Sequence, residues 1–212
     1  MAALVYFRKE VSTLIKTLFN YSRATQEMQK LFNFLLVTTL ISGVLGLFFY
    51  KLSQGVSEEN ITSQAVNLVV GVLLLVTAGL QFRAQKIKEG SFRSYSEISR
   101  FDNILLGLVQ SMAVFPGLSR SGLTVSALLI RKFDEQTALK MSFLMSLPIV
   151  LGGNLLLNFD KFTLSLENFL GVGLSFVFGL LTIKFLLKLA EKINFAYFVL
   201  IFAFLTITAA FV

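Results

Sequence analysis

The chain has 212 residues, of which 55% are hydrophobic and only 15% charged, with a mean hydropathy of +0.76. Soluble domains carry about 25% charged residues, and one of this length cannot hide so much apolar surface, so an ordinary soluble protein is excluded. The absence of Cys and His removes disulfides, thiolate nucleophiles and an imidazole base, and leaves any chemistry to carboxylates, hydroxyls, Lys and Arg.

In chain order, Met1 to Phe7 is apolar but far too short to cross a bilayer, lacks the basic start of a signal peptide, and reads as the tail of a span whose beginning is not present. Uncharged runs of membrane length follow at Leu31 to Tyr50, Val66 to Phe82 and Met141 to Phe159. Two more cover Phe169 to Ile183, extending toward Ala190, and Phe195 to Val212. About 20 residues of helix cross the hydrocarbon, so five full spans are expected. The expected fold is all-α, a multi-pass helical bundle of the cell membrane, with a single transmembrane domain over 1–212. The two prolines, Pro116 and Pro148, are where helix breaks are expected.

The net charge of +7 is spread between the apolar runs without forming a continuous stripe, so it predicts topology and no nucleic-acid partner. Basic segments hold Arg8, Lys9, Lys16, Arg23 and Lys30, then Arg83, Lys86, Lys88, Arg93 and Arg100, then Arg131, Lys132 and Lys140, then Lys184, Lys188 and Lys192. The loops at Glu58–Glu59 and Asp160–Glu167 lean acidic. The positive-inside rule puts the basic segments in the cytoplasm. Asn103 to Ile130 is therefore flanked by basic segments on one side and must enter and return. It offers about 42 Å of helix where two crossings need about 60 Å, so a re-entrant hairpin over 103–130 is expected.

Its turn is Pro116-Gly-Leu-Ser-Arg-Ser-Gly122, the most polar stretch inside any apolar region. Irregular backbone at membrane depth persists only where protein or a water-filled cavity satisfies its polar groups. Pro116 ends the incoming helix, and Gly117 and Gly122 let backbone N–H groups approach a ligand. Ser119 or Ser121 can cap the outgoing helix, Leu123 to Ile130. A helix N-terminus beside a guanidinium is an anion site, and the planar fork of Arg120 suits phosphate or diphosphate. The plainer readings are that Arg120 snorkels or pairs with Asp102, Asp134 or Glu135, and that the serines merely cap. An intramembrane Arg costs about 2.5 to 3.5 kcal/mol, so its company of hydroxyls and glycines favours use.

Gly107-Leu-Val-Gln110 followed by Pro116-Gly-Leu-Ser-Arg-Ser-Gly122 and Thr124 resembles the second signature of the undecaprenyl-diphosphatase (bacitracin-resistance) family. Met141-Ser-Phe-Leu-Met-Ser-Leu-Pro148, the Phe7-Arg-Lys9 segment and the order of spans resemble it too, so the likeness covers Met1 to Val212. The resemblance implies an inverted repeat of two re-entrant hairpins, of which this chain holds part. It also implies hydrolysis of undecaprenyl diphosphate to the undecaprenyl phosphate carrier of cell-wall synthesis, hence bacitracin resistance. By the same resemblance Arg120 and Ser119 are catalytic, Gly117, Ser121, Gly122, Thr124 and Gln110 bind the polyprenyl diphosphate, and a divalent cation, Mg or Ca, assists.

The family's Glu-rich motif and its Ser-Ser-x-Gly-His motif occur nowhere in this chain, which has no His at all. The metal ligands implied by the resemblance are accordingly absent from it. The chain is expected to be a truncated form that holds a diphosphate but has no evident means of activating water. A non-catalytic polyprenyl-phosphate binder or flippase-like transporter is the competing reading, and a homo-oligomer is left open. Elsewhere, Ser42-x-x-x-Gly46 and Gly152-Gly153 read as close packing within the bundle, Pro148 as a kink, Ser91 to Ser99 as a solvated loop, and Asn154 and Asn158 as packing polarity.

Overall fold

The computed structural model describes residues 2–54, 63–86, 92–158, 166–192 and 195–211. Among these the chain is all-α, with α1 (Ala2–Tyr6), α2 (Arg8–Phe19), α3 (Gln26–Gln54), α4 (Ser63–Gln85) and α5 (Arg100–Ser111) followed by α6 (Arg120–Ile130), α7 (Glu135–Asn158), α8 (Leu166–Lys192) and α9 (Phe195–Thr208). Single 3-10 turns at Tyr21–Arg23, Tyr95–Glu97 and Met112–Val114 join some of them.

The bundle is apolar on its outer surface, and small hydroxyl residues are buried among the apolar side chains of its interior. On α3 the exposed residues Leu36, Leu40, Val44, Phe48 and Leu52 recur every four positions, and on α4 Val66, Val69, Val72 and Val76 do nearly the same. The buried set includes Thr38, Ser42, Thr77, Ser111, Thr124, Ser126, Ser142 and Ser146. Soluble monomers avoid contiguous apolar patches of this extent, whereas in lipid the small hydroxyl residues serve the helix contacts. Two of the described helices, within Gln26–Leu52 and Gln64–Ala84, are long and apolar enough to cross a membrane. The protein is a membrane helical bundle.

The five apolar runs read from the sequence fall on α3, α4, α7, α8 and α9, with displaced ends. α3 and α7 begin five and six residues early, because Gln26-Glu-Met-Gln-Lys and Glu135-Gln-Thr-Ala-Leu-Lys are good helix formers whatever their polarity. α7 also runs through Pro148, which does not break it. Lipid-embedded helices tolerate the lost N–H when neighbours pack around it, and here Ile149 meets Gly43 of α3. Asn154 donates to Val150 O at 2.8 Å, while the side chain of Asn158 lies outside the described residues.

The core sits at the basic end of the bundle. Phe34 and Leu35 of α3, Leu106 of α5, Leu128 of α6, and Met141, Leu144 and Met145 of α7 meet there with Phe7, Ile98 and Phe133. α5 packs on α3, and α6 fits between α4 and α7. The α3–α5 contact is close: a Cβ on Gly107 would lie 2.8 Å from that of Ile41, and Gly46 faces Val114. Ser42 accepts a hydrogen bond from Gln110 Nε2 at 2.9 Å, so the Ser42–Gly46 stripe serves packing inside the bundle.

Candidate functional site at the α5–α6 turn

Two nested caps start the hairpin. Ser94 and Glu97 form a capping box on the 3-10 turn, and Ser99 and Asp102 form another on α5, where Asp102 N donates to Ser99 Oγ at 3.2 Å and Ser99 N to Asp102 Oδ2 at 2.9 Å. Within the segment read as a solvated loop, Ser94, Glu97 and Ser99 are therefore held in helix caps; Ser91 lies outside the described residues. Asp102 holds more than its own helix. Arg131 Nε, just past α6, donates to its Oδ1 at 2.6 Å, and Arg93 Nη2 to its Oδ2 at 2.8 Å. Arg93 also donates to the Arg131 carbonyl at 3.2 Å and lies over the Phe133 ring. The start of α5 and the end of α6 are thus locked to one fully buried carboxylate. Burial alone would raise the Asp102 carboxyl, but hydrogen bonds from Arg93, Ser99 and Arg131 outweigh it and hold the group well below the usual carboxylate range.

From this base α5 rises for 12 residues and α6 returns for 11, about 18 and 17 Å of helix, each roughly half of a 30 Å hydrocarbon layer. The sequence placed the end of the incoming helix at Pro116. The α-helix stops at Ser111 instead, because the residue before a proline is pushed out of the helical region. Phe115 is extended (φ −75, ψ 130), and the ladder tightens into the 3-10 turn Met112–Val114 before reaching it.

Gly117 makes the reversal at φ +90, where a Cβ would lie 2.6 Å from Val70 O of α4. Both the dihedral and the contact demand glycine. Gly117→Ala is expected to destabilise the protein by about 1–3 kcal/mol from the backbone alone, read as a lower thermal midpoint in detergent; an unchanged midpoint would mean that the turn relaxes freely. Thr77 of α4 donates to Gly117 O at 3.4 Å and tethers the tip.

Ser119 is the N-cap, its Oγ accepting from Gly122 N at 3.3 Å, so the outgoing helix begins at Arg120, three residues before the predicted Leu123. Ser121 is exposed in the first turn, its Oγ 3.4 Å from that of Ser119. Gly122 faces α4, where a Cβ would meet Gln81 Nε2 at 2.7 Å. Leu123 N bonds Ser119 O, which leaves the amides of Arg120 and Ser121 without an acceptor in the helix. Arg120 is half-buried and reaches α7, donating from Nη1 to Ser142 O at 3.3 Å. Among the described residues it makes no ion pair. Of the carboxylates weighed as its partners, Asp102 is held by two other arginines and Asp134 caps α7 through Thr137 N at 2.9 Å.

Thr124 is fully buried, donating to Arg120 O at 2.8 Å and sharing a 2.7 Å hydrogen bond with Ser142 Oγ. Its hydroxyl fixes α6 on α7 and thereby the root of the Arg120 side chain. The turn brings together Gly117, Ser119, Arg120, Ser121, Gly122 and Thr124. Gln110 points the other way, to Ser42 on α3, and its Oε1 is buried without a partner. Sequence reading missed Ser142, Thr77 and Gln81, which belong to the site through α7 and α4; a hydroxyl or amide inside an apolar span was the signal. No group of three or more His, Cys, Asp or Glu side chains gathers among the described residues. Hydroxyls, amides and a guanidinium do not fit Mg or Ca, which take carboxylate and carbonyl oxygens, so no step is assigned to a cation.

The chain is similar to known proteins along nearly all of its length. A family model described as bacitracin resistance protein BacA matches residues 1–208. An undecaprenyl-diphosphatase of Methanococcoides burtonii is 36% identical over 203 residues, 93% of this chain and 74% of that protein. One of Alkaliphilus metalliredigens is 35% identical over 182 residues, covering 83% and 63%. A third, of Methanothrix thermoacetophila, is 30% identical over 210 residues, covering 98% and 75%. With residues 1–208 matched by the family model and relatives at 30 to 36% identity along most of its length, the chain belongs to the bacitracin resistance protein BacA family.

Proposed function

We propose that the protein is a multi-pass cell-membrane phosphatase that removes the terminal phosphate of undecaprenyl diphosphate and returns undecaprenyl phosphate to cell-wall synthesis. The observation that carries the reading is Arg120: a half-buried guanidinium at a broken helix, with no ion pair among the described residues, beside two helix-start amides that lack acceptors. A charge in that position is stabilised by an anion, and the helix dipole adds to the attraction. α5 and α6, each half a bilayer long, form a re-entrant hairpin that lifts the turn to the middle of the hydrocarbon, with the polyprenyl tail between the outer helices.

In the reaction, water oxygen bonds to the terminal phosphorus as the bond to the bridging oxygen breaks, and the proton that the water loses passes to the phosphate oxygens of the products. Negative charge then grows on the bridging and equatorial oxygens, where the Arg120 fork and the Arg120 and Ser121 amides stand. Ser119 holds the first turn open through its cap to Gly122, and Thr124 fixes the helix that carries the arginine. The test is phosphate release from undecaprenyl diphosphate by the purified protein, with undecaprenyl phosphate as the second product. Since the turn binds through a guanidinium and amides, retention of the lipid diphosphate is expected to survive EDTA; release of the lipid on chelation would show that the anion is held by a cation instead.

One observation favours a second reading, a polyprenyl-phosphate binder or flippase-like transporter. The turn from Phe115 to Thr124 contains no carboxylate and the chain no His, so no base for water stands there. Tight binding of the diphosphate without phosphate release would support this reading and overturn the first.

A further inference from the structure

α2 (Arg8–Phe19) is a short helix that the site does not use, and its three faces differ. Phe7, Val11 and Leu14 face the core, with Thr17 buried behind them and donating to Thr13 O at 2.9 Å. A second flank exposes Ile15 (52%), Leu18 (60%) and Phe19 (78%), apolar residues three and four apart. Beside it Lys9 and Lys16, seven residues apart and so on one stripe, are exposed, and Arg8 is exposed at the start of the helix in line with Ile15. The helix's one acidic residue, Glu10, is bound to Lys140 of α7 at 2.7 Å, which leaves the outer surface positive. At about 18 Å α2 is too short to cross a bilayer.

Its depth is fixed by the turn that follows. Gln29 Nε2 of α3 donates to Tyr21 O at 2.8 Å, and Asn33 Nδ2 donates to the Tyr21 hydroxyl at 2.8 Å. The end of α2 is thereby pinned at the level of Gln29 to Asn33, where the uncharged run of α3 begins at Leu31. That level is the boundary between headgroups and acyl chains, where partly exposed tyrosines such as Tyr21 also concentrate. A helix held there with an exposed apolar flank next to a lysine stripe matches one environment: apolar side chains among acyl chains, ammonium groups among phosphates.

We propose that α2 lies in the membrane interface at the basic end of the bundle, and that Lys9 and Lys16, with Arg8, bind the headgroups of anionic phospholipids. The chain contains no Trp, so single-tryptophan variants report one position each. The full chain carrying F19W, or T13W on the exposed side away from the apolar flank, is reconstituted into phosphatidylcholine alone and into an equal mixture with phosphatidylglycerol. The expected result is that bromine near the headgroup end of the acyl chains quenches F19W and leaves T13W alone, while aqueous iodide does the reverse. Mass spectrometry of lipids retained through purification is expected to show preference for phosphatidylglycerol, reduced at least about fivefold in K9Q/K16Q, since each basic residue near an anionic surface is worth about that factor. Iodide quenching of F19W equal to that of T13W, retention without headgroup preference, or a preference unchanged in K9Q/K16Q would each overturn the proposal. Both lysines are exposed, so their loss leaves the fold intact.

Discussion

Arg120→Ala is expected to lower phosphate release from undecaprenyl diphosphate by about 100- to 1000-fold, the cost typical of losing one preorganised donor to a developing oxyanion. Binding of the lipid diphosphate is expected to weaken in the same variant, because the guanidinium meets the anion before any bond breaks. Arg120→Lys rescues little: an ammonium restores the charge but not the two parallel N–H groups, and it cannot hold Ser142 O and the phosphate in one plane. Melting curves serve as the control, since Arg120 makes one long hydrogen bond to the protein and contributes little to the fold. Full phosphate release by Arg120→Ala would remove the residue from the mechanism.

Asp102→Ala is expected to be the most destabilising substitution in the hairpin. It removes the acceptor of Arg93 and Arg131 and the capping box of α5 together, leaving two guanidiniums facing a void. Breaking a buried pair costs about 3–5 kcal/mol, and the low end applies because Arg93 and Arg131 keep 20% and 34% of their side-chain exposure. Phosphatase activity should fall with it, because the turn loses its rigid base. The pH dependence has a definite sign. A carboxyl held below its unfolded value adds stability that is present above the ordinary carboxylate range and is lost as the pH falls through and below that range. The wild-type midpoint is therefore expected to be insensitive to this group between about pH 5 and 8 and to drop below about pH 4, with that part of the acid loss missing in Asp102→Asn. A variant as stable as the wild type at neutral pH would show that the clamp is incidental.

The contrast between Arg120 and Asp102 shows what the sequence made legible. The turn was readable because its signals are local: Pro116 constrains Phe115, Gly117 takes a positive φ, and Ser119 caps α6 through the amide of Gly122, three residues on. The lipid-facing periodicity of α3 and α4 was readable for the same reason. Asp102 was not, because its partners lie 9 and 29 residues away and charge alone cannot say which arginine wins. The fold puts Asp102 at the base of the hairpin and Arg120 at its tip, so the two cannot pair. α2 escaped because its apolar residues alternate with cations, which in a hydropathy reading looks like a polar linker. Thr124 was read as a ligand group from the family resemblance, and its contact with Ser142, eighteen residues on, was not readable because it lies across two helices.

Val70 and Gly71 are consecutive on α4, and they look in two directions. Val70 presents its carbonyl to Gly117, while Gly71 admits the Ile207 side chain and the Ala203 backbone of α9, where any Cβ would come within 2.4 Å of Ile207. α9 is thus a buttress behind α4, one of the walls against which the turn is braced. A displacement of α9 is therefore expected to reach Gly117 through consecutive residues of α4, Gly71 and Val70.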